Sequence, residues 1–263
     1  MAKHRFWKRG LPWIIPLGCL ALWQLVSMGR IVPAYLLPHP FDVCRAAYGY
    51  VFEQVGSQPF AGRFINDLLN SLLRVLFGFS LAVLAGIPLG LLSGRLPLIN
   101  RLLSNMVSAM RAVPGISWLP LAMVWFGIGV KTTVFLVAMA AFFPIYLNSA
   151  TGARQINPRY CQAGAMMGVG RWRTIVGILL PSAMPQILAG LRLGMGISWA
   201  YLVLGELTGV SDGMGAVIMD ARMVGRIDII IVGMLMIAVA GRLCDLLLYY
   251  GIRFCFRSAR RMT

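Results

Sequence analysis

The chain has 263 residues, 24 of them Lys or Arg against 8 Asp or Glu, for a formal net charge of +16, and a mean hydropathy of +0.78. Charged residues make up 12% and hydrophobic ones 59%, about half the charge density of a soluble domain and too apolar for a disordered chain. A pI of 10.7 is also a mark of nucleic-acid binders, but here the arginines separate long uncharged runs instead of clustering. That pattern speaks for an integral membrane protein and against a nucleic-acid partner.

A hydrocarbon core of about 30 Å takes about 20 helical residues. In chain order, the uncharged or nearly uncharged runs predict six helices, at 11–29, 68–94, 102–127, 131–151, 187–206 and 228–251. The first follows Lys3, Arg5, Lys8 and Arg9, as the core of a signal peptide would. Its length and the poor cleavage site from Val26 to Arg30 favour an uncleaved helix. No run alternates as β-barrel strands do. The expected organisation is an N-terminus at 1–10, one transmembrane domain at 11–251 with an inner loop at 152–181, and a basic tail at 252–263.

With the N-terminus inside, segments 1–10, 95–101, 152–173 and 253–263 hold 14 Lys and Arg and no acid. The outer segments and helix ends hold 6, namely Arg30, Arg45, Arg63, Lys131, Arg222 and Arg226, together with every acid except Asp245. Orientation follows the Lys and Arg count, so both termini are expected in the cytoplasm.

Several helix-borne residues stand out. The second predicted helix carries Gly78, Ala82, Gly86, Gly90 and Gly94, and the fifth Gly190, Gly194 and Ser198, a spacing that lets backbones approach closely in lipid. Tight packing is the first reading, rearrangement of the helices the second. Pro114 and Pro120 interrupt the third helix. Arg111 lies deep within it and is a functional candidate for that reason, either attracting an anionic substrate or bonding carbonyls freed near Pro114. Arg242 and Asp245, three apart on one face, read as a structural pair. Arg74 and Arg192 read as side chains that snorkel from helix ends. Cys19, Cys44, Cys161, Cys244 and Cys255 show no CxxC, and His4 and His39 no ligand spacing, so neither a disulfide framework nor a metal site is expected.

The inner loop is the most informative stretch. It runs Asn157-Pro158-Arg159-Tyr160-Cys161-Gln162-Ala163-Gly164-Ala165-Met166-Met167-Gly168-Val169-Gly170-Arg171-Trp172-Arg173 and on to Leu180-Pro181. Pro158 starts a short helix and Gly168 with Gly170 ends it. Its Ala/Gly/Met face needs a cover, from the protein's own helices or from a separate cytoplasmic protein. The spacing of Gln162-Ala163-Gly164, Gly168 and Leu180-Pro181 resembles the EAA loop of permease subunits in binding-protein-dependent ABC importers. It departs from that loop at Gln162, for Glu, and at Gly164, for the second Ala. Leu36-Leu37-Pro38-His39-Pro40, Leu72-Leu73-Arg74 to Gly90, Trp118-Leu119-Pro120 with Trp125 to Gly129, Phe143 to Asn148, and Gly213-Met214-Gly215 with Asp228 resemble the nitrate/sulfonate/taurine branch, most like its aliphatic-sulfonate permeases.

The resemblance implies an all-α, six-span permease of the type I ABC importer fold with a cytoplasmic coupling helix, in a bacterial inner membrane. Its implied partners are membrane lipid, a second permease copy in a homodimer, two cytoplasmic ATPase subunits and an external solute-binding protein. The chain has no GxxxxGK[ST] to cradle a phosphate, so it is expected to be no enzyme and to hold no cofactor, with ATP and Mg bound by the ATPase. Gln162, Ala163, Gly164, Ala165, Met167, Gly168 and Arg171 would meet that ATPase, and the outer loops from Asp212 to Arg226 the binding protein. Arg111, Ser198, Tyr201 and Glu206 are the pathway candidates, Glu206 as part of an outer gate or as a solvated interfacial group. An alkanesulfonate or taurine is the expected substrate, with nitrate, bicarbonate and vitamin precursors open. A lipid-modifying membrane enzyme would need acids, histidines or metal ligands at the interface, and the inner loops carry no acid. A stand-alone channel or secondary transporter would leave the short inner helix uncovered.

Overall fold

In lipid every backbone polar group must bond within the protein, and long uncharged runs meet that demand as helices. The computed structural model describes residues 3–29, 32–33, 35–57 and 59–255, with backbone alone for 3–13, 171 and 255. Arg30, Arg257, Arg260 and Arg261 lie outside the described residues, as does 256–263 of the basic tail. All regular structure among the described residues is helical: α1 (Lys3–Met28), α2 (Pro40–Phe52), α3 (Phe64–Arg95), α4 (Pro97–Ala112), α5 (Trp118–Phe126), α6 (Val130–Gln155), α7 (Pro158–Met166), α8 (Arg171–Thr174), α9 (Leu180–Glu206), α10 (Met214–Val224) and α11 (Ile227–Cys255).

Among the described residues, four stretches are long and apolar enough to cross a membrane, namely Phe64–Arg95, Val130–Gln155, Trp172–Glu206 and Ile227–Phe254. A fifth span exists if the bent pair Pro97–Ala112 and Gly115–Phe126 is taken as one, and α1 offers the shorter apolar stretch Ile14–Met28. The third predicted helix, 102–127, is therefore corrected. Its two parts meet at 84° because a residue before proline is pushed out of the α region, and Val113 takes φ −73, ψ 122 ahead of Pro114. Pro120 does not interrupt anything. It sits in the first turn of α5, where its missing N–H removes no helical bond. The fifth predicted helix begins earlier than 187, since α9 runs on from α8 through a π-turn at Ile175–Leu179. Pro181 and Pro185 have no N–H for the carbonyls a turn before them, which favours such a change of hydrogen-bond register.

The chain forms two compact units, Met1–Ile65 with Val217–Leu235, and Asn66–Ala216 with Met236–Thr263. In the first, α1 is tied to the segment before α2: the Trp23 indole donates to the Pro38 carbonyl at 3.1 Å, and Ser27 Oγ meets His39 Nδ1 at 2.7 Å. In the second, α6 is the central helix, and the small-residue faces of α3 and α9 both press on it. A Cβ at Gly86 would lie 2.9 Å from Ile145 Cγ2, and one at Gly194 3.1 Å from Ile145 Cγ1. Gly78 and Gly90 make the same close approach to Val137 and Ser149, and Gly190 to Asn148 and the Pro144 carbonyl. Small residues thus serve backbone contact with one shared partner helix, which is packing in the ordinary membrane sense.

Candidate functional site

Where α4 turns into α5, the bend opens a cavity of about 310 Å³ lined by Arg111, Val113, Gly115, Leu136, Met139, Ala140, Phe143, Pro144, Leu147, Ile197 and Tyr201. Two sequence candidates, Arg111 and Tyr201, meet here. Arg111 has no ion-pair partner among the described residues, so it offers the chamber an uncompensated positive charge. The Tyr201 hydroxyl lies so close to Gly115 that no side chain would fit at that position. Pro144 supplies no N–H for the Ala140 carbonyl, and both residues line the same space, as freed backbone groups in membranes tend to line wet cavities. Arg101, Ser104 and Ser108 precede Arg111 on α4 at spacings of three and four, one face of a helix. That polar ladder was missed in sequence, although its spacing is visible there.

The other two pathway candidates lie elsewhere. Ser198 is fully buried and donates to the Gly194 carbonyl at 2.8 Å, a back-bond within its own helix. Glu206 is 1% exposed, which rules out interfacial solvation. Its carboxylate accepts from Ser71 Oγ at 2.8 Å, Arg74 Nη1 at 2.7 Å and the Gly215 N–H at 2.8 Å. Arg74 also donates to the Asp212 carbonyl at 2.7 Å and pairs with the Asp212 carboxylate. The Gly213 N–H donates to Asp67 and the Met214 N–H to Ser71. Carboxylates and a hydroxyl thus satisfy consecutive N–H groups at the start of α10, where the helix dipole favours negative charge. Arg74 is 5% exposed and does not snorkel, a correction that sequence spacing did not reveal.

A second charged cluster sits further back along α9. Arg192 donates to Asp245 through Nε at 2.8 Å and Nη2 at 2.9 Å, while Arg242 reaches the same carboxylate at 3.0 Å. The pair expected between Arg242 and Asp245 exists, but Arg192 is the better-placed partner and, like Arg74, is corrected from a snorkelling role. In the first unit, Tyr35, Asp42, Arg45, Glu53, Arg226 and Asp228 line a separate cavity of about 380 Å³. There the hydrogen bonds to Asp228 hold the Arg226 guanidinium above its usual pKa.

The inner loop forms α7 as its caps dictate. Asn157 Oδ1 accepts from the Arg159 N–H at 3.0 Å, and Gly168 ends the helix at φ +74, a left-handed conformation that favours glycine. Gly164 is buried and faces Ile178, whose Cδ1 would lie 2.9 Å from a Cβ there, which accounts for Gly in place of the second Ala. Gly164 is therefore packed inward against its own loop. Gln162, Ala163, Ala165, Met167 and Gly168 are exposed, and the side chain of Arg171 lies outside the described residues. Met166, 90% exposed, belongs to the same face and was missed, although the spacing from Ala163 placed it there. At the base of the helix, Arg95 of α3 donates to Cys161 Sγ at 2.7 Å and to the Ile156 carbonyl at 3.4 Å.

Residues 86–260 match the family described as binding-protein-dependent transport system inner membrane component. The chain is 31% identical over 243 residues to the putative aliphatic sulfonates transport permease protein SsuC of Bacillus subtilis, covering 92% of this chain and 84% of that one. It is 30% identical to the taurine transport system permease protein TauC of Escherichia coli, over 86% of this chain and 82% of that one. It is 31% identical to the bicarbonate transport system permease protein CmpB of Synechocystis, over 92% and 89%. Among solved structures, a chain of the MetNI methionine ABC transporter in an inward-facing conformation superposes with a TM-score of 0.57 at 17% identity, covering 73% of this chain and 99% of that one, a likeness of fold.

Proposed function

Because this chain belongs to the family of inner membrane components of binding-protein-dependent transport systems, we propose that it forms the pathway of an ABC importer for alkanesulfonates or taurine, with the anion passing through the cavity at the α4–α5 bend. The chain is a multi-pass, non-catalytic transport subunit. The reading of the substrate rests on one observation, a single arginine set in an otherwise apolar chamber beside a tyrosine hydroxyl. A sulfonate carries one charge and three acceptor oxygens for Arg111 and Tyr201, and its short alkyl part matches Leu136, Met139, Phe143 and Ile197. Nitrate and bicarbonate have no such tail and would leave those walls facing water. The names of the sulfonate and taurine relatives support the same choice, while the bicarbonate relative supplies the rival to be tested.

In this reading α1 is the sixth span and the α4–α5 pair crosses as one bent span, with both termini cytoplasmic by the Lys and Arg count. The exposed face of α7, from Gln162 to Met167, docks in a cytoplasmic ATPase that binds ATP and Mg. A second copy completes the pathway, and a solute-binding protein delivers the substrate from outside. Vesicles holding the permease with its ATPase and binding protein test this. ATP-dependent uptake of labelled ethanesulfonate and taurine is expected, falling at least tenfold in Arg111→Leu with assembly intact. Uptake of nitrate or bicarbonate at equal or higher rates would overturn the substrate class, and an unimpaired Arg111→Leu would overturn the cavity as the route. Ala163→Glu on the α7 face should abolish co-purification of the ATPase; retention would remove α7 from that role.

A further inference from the structure

The face of α4 that brings Arg111 to the cavity continues away from it. At 3.6 residues per turn, Arg101, Ser104, Ser108 and Arg111 fall within about 80° of arc, and the two arginines stand about 15 Å apart along the axis. No acid occurs anywhere on α4. Among the described residues neither arginine has an ion pair or a side-chain hydrogen bond, and the Ser104 and Ser108 hydroxyls are likewise unbonded. Other arginines near that end of the helix are occupied: Arg95 donates to Cys161 Sγ and the Ile156 carbonyl, and Arg154 to Asn100. Arg101, Ser108 and Arg111 are exposed and Ser104 is half-buried, while Val107 beside them is buried and holds α4 to the rest of the chain.

A single deep arginine poses a problem for a pathway. An anion drawn into a mostly apolar chamber by Arg111 must also leave it, and passage is fast only where binding is shared among several weak sites. Ser108 and then Ser104 place hydroxyl donors about one helical turn apart below Arg111, and Arg101 ends the series. A sulfonate has three acceptor oxygens, so it can bond the next donor before it releases the last. At the open end of α4, water weakens the attraction between Arg101 and an anion, which makes that end the place of release. By the Lys and Arg count it is the cytoplasmic end. A helix lying among lipid headgroups could show the same spacing, but its polar face would not run into a cavity walled by Leu136 and Phe143 of α6 and Ile197 of α9.

We propose that Ser108, Ser104 and Arg101 form the exit from the cavity at the α4–α5 bend, with Arg101 a second, transient site for the oxyanion that draws it off Arg111. The inference rests on the reading of that cavity as the route. It adds to that reading a direction and a release step.

Uptake of labelled ethanesulfonate into vesicles holding the permease with its ATPase and binding protein reads the release step. Arg101→Gln should lower the maximal rate about fivefold and keep the half-saturating concentration within about twofold of the parent, because delivery and entry at Arg111 are untouched. Arg101→Lys, which keeps the charge, should restore at least half of the rate. A parental rate in Arg101→Gln, or a loss that Arg101→Lys does not repair, would overturn the proposal. Thiol labelling of the assembled transporter tests it without altering Arg101. Ser108→Cys should react with the anionic reagent 2-sulfonatoethyl methanethiosulfonate, read by mass on its own peptide, and saturating ethanesulfonate should slow that reaction at least threefold. Met106→Cys, on the apolar stripe beside the ladder, should show no effect of substrate. Labelling of Ser108→Cys that substrate leaves unchanged puts the ladder outside the route and sinks the inference. The two readings separate at Arg111→Leu: parental uptake there removes the cavity itself, whereas impaired uptake there with parental uptake in Arg101→Gln removes the ladder alone.

Discussion

Near the C-terminal end of α9, Glu206 meets Arg74 with side chains 0% and 6% exposed. About 21 Å back along the same helix, Arg192 meets Asp245 with side chains 40% and 16% exposed. The first cluster has more carboxylate than arginine, and backbone N–H groups of Gly213, Met214 and Gly215 make up the difference. In the second, two arginines, Arg192 and Arg242, share the one carboxylate of Asp245. Identical pair chemistry therefore does two jobs. Buried at Glu206 and Arg74, with the Asp212 side chain 36% exposed at its edge, it ties the 207–215 loop to α3. Left half-open, it joins α9 to α11 at the surface of the bundle.

The sharpest way to break this contrast is Glu206→Ala. Breaking a buried pair costs about 3–5 kcal/mol when the other partner is left unpaired; here Arg74 keeps Asp212 while Ser71 and the Gly215 N–H lose their acceptor, so the low end of that range is expected. The variant should show a large drop in unfolding temperature and in recoverable folded protein. Unfolding at the parent temperature would mean the cluster is not sealed. Gly213→Ala should follow, with a loss of about 2–3 kcal/mol. Its φ of +111 is unfavourable for any side chain, and the added Cβ would lie 2.5 Å from Glu206 Oε1 and 2.6 Å from Arg74 Nη1; left-handed strain alone costs about 1–2 kcal/mol. A neutral result would show the loop yielding rather than locked.

What the sequence made legible follows the range of each interaction. Uncharged runs locate α3, α6, α9 and α11 because the hydrophobic requirement is local. The glycine faces of α3 and α9 are visible because their spacing is local too, although their common partner, Ile145 on α6, is not. The caps of α7 at Pro158 and Gly168 were legible for the same reason. Arg74 and Glu206 were legible singly but not as a pair, since they are far apart in sequence and depth alone makes each look interfacial. The break at Val113 was half visible: proline announced an interruption, but Pro114 and Pro120 look alike until it is known which one falls in a first turn. Arg111 and Tyr201 were named as chemistry, and only the bend brings them to one cavity.

The smallest effect is the most discriminating. Asp245→Asn removes the carboxylate from the open cluster while keeping its shape and one acceptor. Partly exposed pairs of this kind are worth about 0–1 kcal/mol, so the unfolding temperature should move by a few degrees at most, in contrast to Glu206→Ala. A loss as large as that of Glu206→Ala would make the two ends of α9 variants of one device instead of two different ones.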